Sequence, residues 1–143
     1  MKIAIASDHA AFEMKRQVRE LVESLGHETE DFGTYSMESV DYPDFAIPAA
    51  QSVANKMNDL GIIICGTGIG MSIAANKVRG IRAALCCTEE TAKLARQHNN
   101  ANVICLPARY VSIELSRQMV DKFLSTDFEG GRHATRVGKI ACS

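Results

Sequence analysis

Nothing in this chain is apolar over anything near the roughly 20 residues that a membrane-spanning helix needs. Nor is there an excess of one charge. The formal net charge is −1, which argues against a nucleic-acid or membrane-surface partner held by bulk electrostatics. Cysteine is present at five positions, an odd number with no metal-ligand spacing, so a disulfide scaffold and a zinc site are both disfavoured and a reducing cytoplasm fits. No linker, repeat or low-complexity tract interrupts the sequence, and the stretch Met1 to Ala6 is too short for a signal peptide and reads as a strand. These absences leave one cytoplasmic domain, residues 1–143, long enough to bury a core.

Apolar runs alternate with segments of helical period. Lys2 to Ala6 reads as a first strand, and Ala10 to Leu25 as a helix with Met14, Val18, Leu21, Val22 and Leu25 on one stripe, ended by Gly26. His27 to Phe32 is a more polar second strand, suited to an edge, and Gly33 to Asp41 a loop. Tyr42-Pro43 opens a helix to about Lys56, in which Pro48 predicts a late start or a kink. Gly61 to Cys65 is a third strand, followed by a glycine loop and a helix to about Val78. Ile81 to Cys87 and Asn102 to Leu106 read as strands four and five, with a helix capped by Thr88 between them. Ser112 to Leu124 is a long helix, and a short helical pattern follows Gly130-Gly131. The pattern predicts a three-layer αβα sandwich on a five-stranded parallel sheet, Rossmann-like or flavodoxin-like. Ligands of such sheets sit beyond the carboxyl ends of the strands. That rule gathers Ser7-Asp8-His9, the glycine loop and Pro107-Ala108-Arg109 at one edge.

The glycine loop Cys65-Gly66-Thr67-Gly68-Ile69-Gly70 carries the clearest chemistry. Strand, glycine loop and helix N-terminus converge bare N–H groups on one spot and make an anion site. Three common loops are excluded. A dinucleotide fingerprint needs a third glycine where Met71 stands, a P-loop needs a lysine after Gly70, and a phosphatase loop needs an arginine at Met71. Cys65 alone reads as a small buried hydrophobe; at a strand end facing a helix N-terminus it reads as a reactive thiol.

Other candidates carry a plainer reading beside the functional one. Asp8 fits an ordinary N-cap and His9 a surface residue, yet both follow a strand end. The asparagines of His98-Asn99-Asn100 fit a helix end, while His98 fits an acid–base catalyst. Arg132 and Arg136 share one helical face, a solvated basic tail or a clamp for a phosphate dianion. Cys86, Cys87 and Cys105 read as strand and core residues, and neither they nor Cys142 are assigned chemistry.

Ser7-Asp8-His9-Ala10-Ala11, Asp41-Tyr42-Pro43, the Cys65–Gly70 loop, Ala74-Ala75-Asn76-Lys77, His98-Asn99 and Gly130-Gly131-Arg132-His133 follow one another in an order that resembles the B-type ribose-5-phosphate isomerases and their galactose-6-phosphate isomerase relatives. The resemblance implies an aldose–ketose isomerase that works through a cis-enediolate with no metal and no organic cofactor. It implies Cys65 as the base between C2 and C1, Thr67 as a proton handler, and the N–H groups of Gly66, Gly68, Ile69 and Gly70 as enediolate donors. By the same resemblance His98, with Asp8 nearby, would open the furanose ring, and Asn99 and Tyr42 would contact sugar hydroxyls. The resemblance further implies that His9, Arg109, Arg132 and Arg136 hold the phosphate, some of them from the other subunit of a homodimer or dimer of dimers. Met71 stands where another branch carries a glutamate base, and the intact His98-Asn99 pair favours ribose 5-phosphate. Pro107, where a glycine is commoner, bears on the Arg109 loop. Six-carbon sugar phosphates such as allose 6-phosphate or galactose 6-phosphate are the alternative substrates. A flavodoxin-like binding or signalling module is the rival from another class, but it wants an aspartate at Cys65 or a Ser/Thr-rich loop at Asp8.

Overall fold

The computed structural model of the chain describes residues 1–140. Its elements are β1 (Lys2–Ser7), a 3₁₀ turn (His9–Ala11), α1 (Phe12–Ser24), β2 (Glu28–Asp31), α2 (Pro43–Ala54), β3 (Leu60–Cys65), α3 (Ile69–Asn76), β4 (Ala83–Leu85), α4 (Glu89–Asn99), β5 (Val103–Pro107), α5 (Ile113–Ser125) and α6 (Arg132–Ile140). The five strands form one parallel sheet in the order β2-β1-β3-β5-β4. This is the expected three-layer α/β architecture; relative to the flavodoxin order the last two strands are exchanged.

Alternate residues of the central strands feed two cores, because successive side chains point to opposite faces. Ile3, Ile5, Ile62, Ile64, Ile104 and Leu106 pack under α1, α4 and α5, where Val18, Val22, Met119 and Phe123 are fully buried. Ala4, Ala6, Ile63, Cys65 and Cys105 lie under α2 and α3. That face is built from small residues on both sides, Ala46, Ala49, Ala50 and Ala75, so the helices sit close to the sheet. Each large aliphatic side chain so buried contributes about 1.5–3 kcal/mol. The central strands β1, β3 and β5 are therefore held from both sides, and the residues at their carboxyl ends inherit that rigidity. α1 and α5 leave this edge toward one face and α3 toward the other, which opens a crevice there.

Four expectations need correction. The first helix begins as a 3₁₀ turn before α1, and Leu25 is 43% exposed rather than part of the buried stripe. Pro48 neither delays nor divides α2; it is exposed, so water can serve the Asp44 carbonyl that proline cannot. The fourth strand is only three residues long, because the Ile81 N–H turns to the Val78 carbonyl and the Arg82 N–H goes to Asn102 Oδ1 at 2.8 Å. Cys86 and Cys87 thus lie past β4, the first buried and the second exposed. Cys142 lies outside the described residues.

Candidate active site

β3 ends at Cys65, buried at 5% exposure on the α3 face of the sheet. The chain then reverses through Gly68, whose φ of 75° is open to glycine at little cost. That turn aims the Gly68 N–H at Cys65 Sγ, 3.1 Å away. No side chain caps α3; Thr67 Oγ1 accepts the Ile69 N–H at 3.2 Å, and the next N–H groups have no earlier helical carbonyl to reach. The result is a buried thiol beside a small array of oriented donors, at the positive end of a helix dipole. A Cβ on Gly68 would collide with the Leu85 methyl, so the turn is closed on its outer side as well.

Four further side chains surround this loop. Asp8 follows β1, its own N–H bonded to the Ile64 carbonyl at 3.2 Å and its carboxylate accepting the Ala11 N–H at 3.1 Å. The N-cap reading of Asp8 is therefore correct, and its second oxygen is left over. His9 is oriented by the Val40 N–H, which donates to Nδ1 at 3.1 Å and leaves Nε2 outward. The Tyr42 ring lies against Gly70, where an added Cβ would come within 2.6 Å of Cζ. Arg109 lies across Gly66, 3.1 Å from the place a Cβ would take, and its N–H donates to the Gly66 carbonyl at 2.9 Å. Pro107 forms the last residue of β5 and pairs with Cys65, and the Ala108 N–H bonds the Cys65 carbonyl at 2.8 Å. The Arg109 loop is tied to the thiol loop despite the proline.

The remaining candidates form a separate group. α4 joins two parallel strands, so it runs back along the sheet and delivers His98 and Asn99 to the amino-terminal edge, opposite Cys65. Within one chain the structure therefore does not bring His98 near Asp8. It places His98 beside α6: the His98 and His133 rings stack with centroids 4.2 Å apart and planes 12° from parallel. The Glu129 N–H bonds the Gln97 carbonyl at 3.1 Å, and Glu129 Oε2 lies 3.7 Å from His133 Nε2. Arg132 and Arg136 are exposed on the same helix. Arg96 fastens this corner, donating to the Ala101 carbonyl at 2.6 Å, Asn100 Oδ1 at 3.2 Å and the Thr126 carbonyl at 3.2 Å. Burial holds the His133 pKa below the ordinary histidine value, reinforced by His98 and Arg132 and opposed by Glu129.

His98, Glu129 and His133 are the group whose donor atoms gather within 4.8 Å among the described residues. Stacked imidazoles point their in-plane lone pairs side by side rather than toward one centre, so this arrangement favours a ring stack over ligation. Near the same edge, a cavity of about 660 Å³ is lined by Ile81, Ala83, Ala84, Asn99, Val137 and Ile140 among others. It lies away from Cys65. Ile69, Ile73, Leu85 and Ile140 add exposed apolar surface on α3, β4 and α6.

The sequence profile described as Ribose/Galactose Isomerase matches residues 3–140. The chain belongs to that isomerase family. The ribose-5-phosphate isomerase B of Escherichia coli is 46% identical over 97% of this chain and 93% of its own length. A ribose 5-phosphate isomerase from Thermotoga maritima, solved by crystallography, is 58% identical with a TM-score of 0.95, covering 98% of this chain and 97% of that one. Ribose-5-phosphate isomerase B from Mycoplasma genitalium, crystallised with bound ribulose 5-phosphate, is 47% identical with a TM-score of 0.94 over 98% and 93% of the two chains.

One residue escaped the sequence reading of this family member, and a second was named there without a role. Lys15 is buried at 2% exposure, bonding Asp31 Oδ1 at 2.7 Å and the Thr34 carbonyl at 2.5 Å, between the Phe12 and Tyr35 rings. It anchors the start of the loop that carries Val40 to His9 and ends at Tyr42. A signal existed: Ala11, Lys15, Val18 and Val22 repeat at helical spacing, with the lysine inside the buried stripe. His133 is the second: the sequence placed it in the Gly130-Gly131-Arg132-His133 motif, and only the fold shows its ring against His98.

Proposed function

We propose that this chain interconverts ribose 5-phosphate and ribulose 5-phosphate, working as a single domain with Cys65 as the general base. The carrying observation is the Gly68 N–H directed at a buried Cys65 sulfur beside the free N–H groups of α3. His98 opens the furanose by taking the proton from the anomeric hydroxyl and delivering one to the ring oxygen. The Cys65 thiolate then removes the C2 proton; the C–H electrons form the C1–C2 double bond, and the carbonyl electrons pass to O1. The loop N–H groups stabilise that enediolate. Thr67 helps to move the O2 proton to O1, and Cys65 returns its proton to C1, giving the ketose. Tyr42 and Asn99 contact sugar hydroxyls, and His9, Arg109, Arg132 and Arg136 hold the phosphate, whose binding energy positions C1 and C2 at the thiol.

This assignment requires two copies of the chain. The base, the oxyanion donors, His9 and Arg109 lie at one edge of the sheet and His98, Arg132 and Arg136 at the other, so on this reading each site is completed by a second subunit. The exposed apolar side chains Ile69, Ile73 and Leu85 beside the thiol loop, and Ile140 on α6, offer surface for that contact. The bound ribulose 5-phosphate of the Mycoplasma genitalium relative supports the five-carbon substrate. The test is formation of ribulose 5-phosphate from ribose 5-phosphate by purified protein in EDTA, with allose 6-phosphate and galactose 6-phosphate in parallel. A kcat/KM highest for ribose 5-phosphate is expected; a higher value for a six-carbon sugar would transfer the assignment to it, and no turnover of any would remove it.

A further inference from the structure

A general acid–base group must present a nitrogen to its substrate at about 2.6–3.2 Å. An imidazole turns freely about its last torsion unless something holds the ring plane. His9 is held by the Val40 N–H on Nδ1. His98 is different: neither of its nitrogens has a hydrogen-bond partner among the described residues, and the ring is half-buried on the last turn of α4. Its neighbour is the parallel His133 ring, itself 9% exposed. The His133 N–H bonds the Gly130 carbonyl at 3.1 Å and the Glu129 N–H bonds the end of α4, so the backbone carrying the second ring is held against α4, and the ring itself is buried there.

We propose that His133 is a positioning residue, which sets the plane of the His98 imidazole by stacking and leaves both of its nitrogens free for the sugar. A hydrogen bond would orient the ring equally well but would occupy one nitrogen. Ring opening uses proton transfer at two oxygens, so an orienting contact through the ring face is the one that costs no donor or acceptor. The charges facing the stack are Glu129 from the preceding link and Arg132 and Arg136 from α6. Burial, His98 and the two arginines disfavour a proton on His133 against the opposing pull of Glu129, which limits the positive charge stacked on His98.

The inference rests on His98 being the ring-opening group, and the test separates the two. Two reactions are followed: conversion of ribose 5-phosphate, which needs the ring opened, and deuterium uptake from solvent at C1 of ribulose 5-phosphate. The ketose has its O5 phosphorylated and stays open-chain, so uptake needs the base alone. His133→Ala should lower conversion about tenfold while uptake stays within about twofold. His133→Phe, which keeps a flat ring in the stack, should retain at least about half of wild-type conversion. The double variant His98→Ala/His133→Ala should be no slower than His98→Ala alone, because the second ring acts through the first. Conversion unchanged in His133→Ala, equal loss of both reactions, or a double variant whose losses multiply would each overturn the positioning role. If His98→Ala itself converts ribose 5-phosphate normally, the ring-opening assignment falls, and this inference with it.

Discussion

The Gly68 N–H points at Cys65 Sγ from 3.1 Å, and the positive φ of Gly68 is what turns it there. One backbone conformation thus links the thiol to the donors around it. A methyl at Gly68 meets both the left-handed backbone and the Leu85 side chain. Gly68→Ala is expected to reduce kcat about a hundredfold, within the range seen when one oxyanion donor is removed. Cys65→Ala should cost about a thousandfold or more in kcat with KM little changed. Steady-state kinetics on both variants check this, and near-normal turnover by Cys65→Ala would end the thiol assignment.

Arg136→Ala removes an exposed guanidinium from the proposed phosphate anchor. A charge-assisted contact of this kind is worth about 1.5–3 kcal/mol, so KM should rise roughly tenfold or more with kcat largely kept. The phosphate-free sugar should be indifferent to the change. An unaltered KM for ribose 5-phosphate would remove Arg136 from the anchor.

Mixing two inactive variants provides a direct test of the shared site. Chains carrying Cys65→Ala and chains carrying His98→Ala, unfolded together and refolded at equal concentration, should recover about a quarter of wild-type activity, from the one intact site in each mixed dimer. Mixtures no more active than their components would show that each chain builds its site alone.

Lys15→Met takes from the partly buried Asp31 its shorter ion pair, leaving Arg19 at 3.4 Å, and releases the Thr34 carbonyl. Breaking a fully buried pair from one side costs about 3–5 kcal/mol; with Arg19 still facing Asp31 the loss should be smaller, and urea unfolding would register it as a lower midpoint. Because the same lysine fastens the loop before Tyr42, KM should rise as well. Equal stability of variant and wild type would show that the ion pair is dispensable.

Thiol chemistry should sort the cysteines by burial. Burial pushes the Cys86 thiol up to about 11 and the Cys105 thiol up well above its ordinary range. An acid whose pKa is raised stays protonated below it, so at pH 8 both resist iodoacetamide in the folded protein. Cys87 is exposed and should be alkylated first among these three. Peptide mapping reads the order, and fast labelling of Cys105 would contradict the packing.

Much of this was legible in the residues. The β-branched run before Cys65, the glycines after it and the strand-end rule located one half of the site without any coordinates. Pro48 misled because a proline on the solvent side of a helix leaves a carbonyl that water can serve. The fourth strand was overestimated because Asn102 Oδ1 takes the Arg82 N–H that a longer ladder would have used. His98 was identified as a residue but not as a place. Its position follows from topology, since a helix between two parallel strands must end at the edge away from the strands' carboxyl ends. Lys15 was hidden by its charge, and recognising it required trusting the repeat over the residue type.

The division of the candidate residues between opposite edges of the sheet has a kinetic consequence. On the two-chain reading, a correctly folded solitary chain is catalytically inert. Specific activity then becomes a function of enzyme concentration: constant while subunits are paired, and falling in proportion to further dilution once they separate. Initial rates in that regime scale with the square of total protein, so the expression level of this chain would set its output more steeply than a one-subunit enzyme allows.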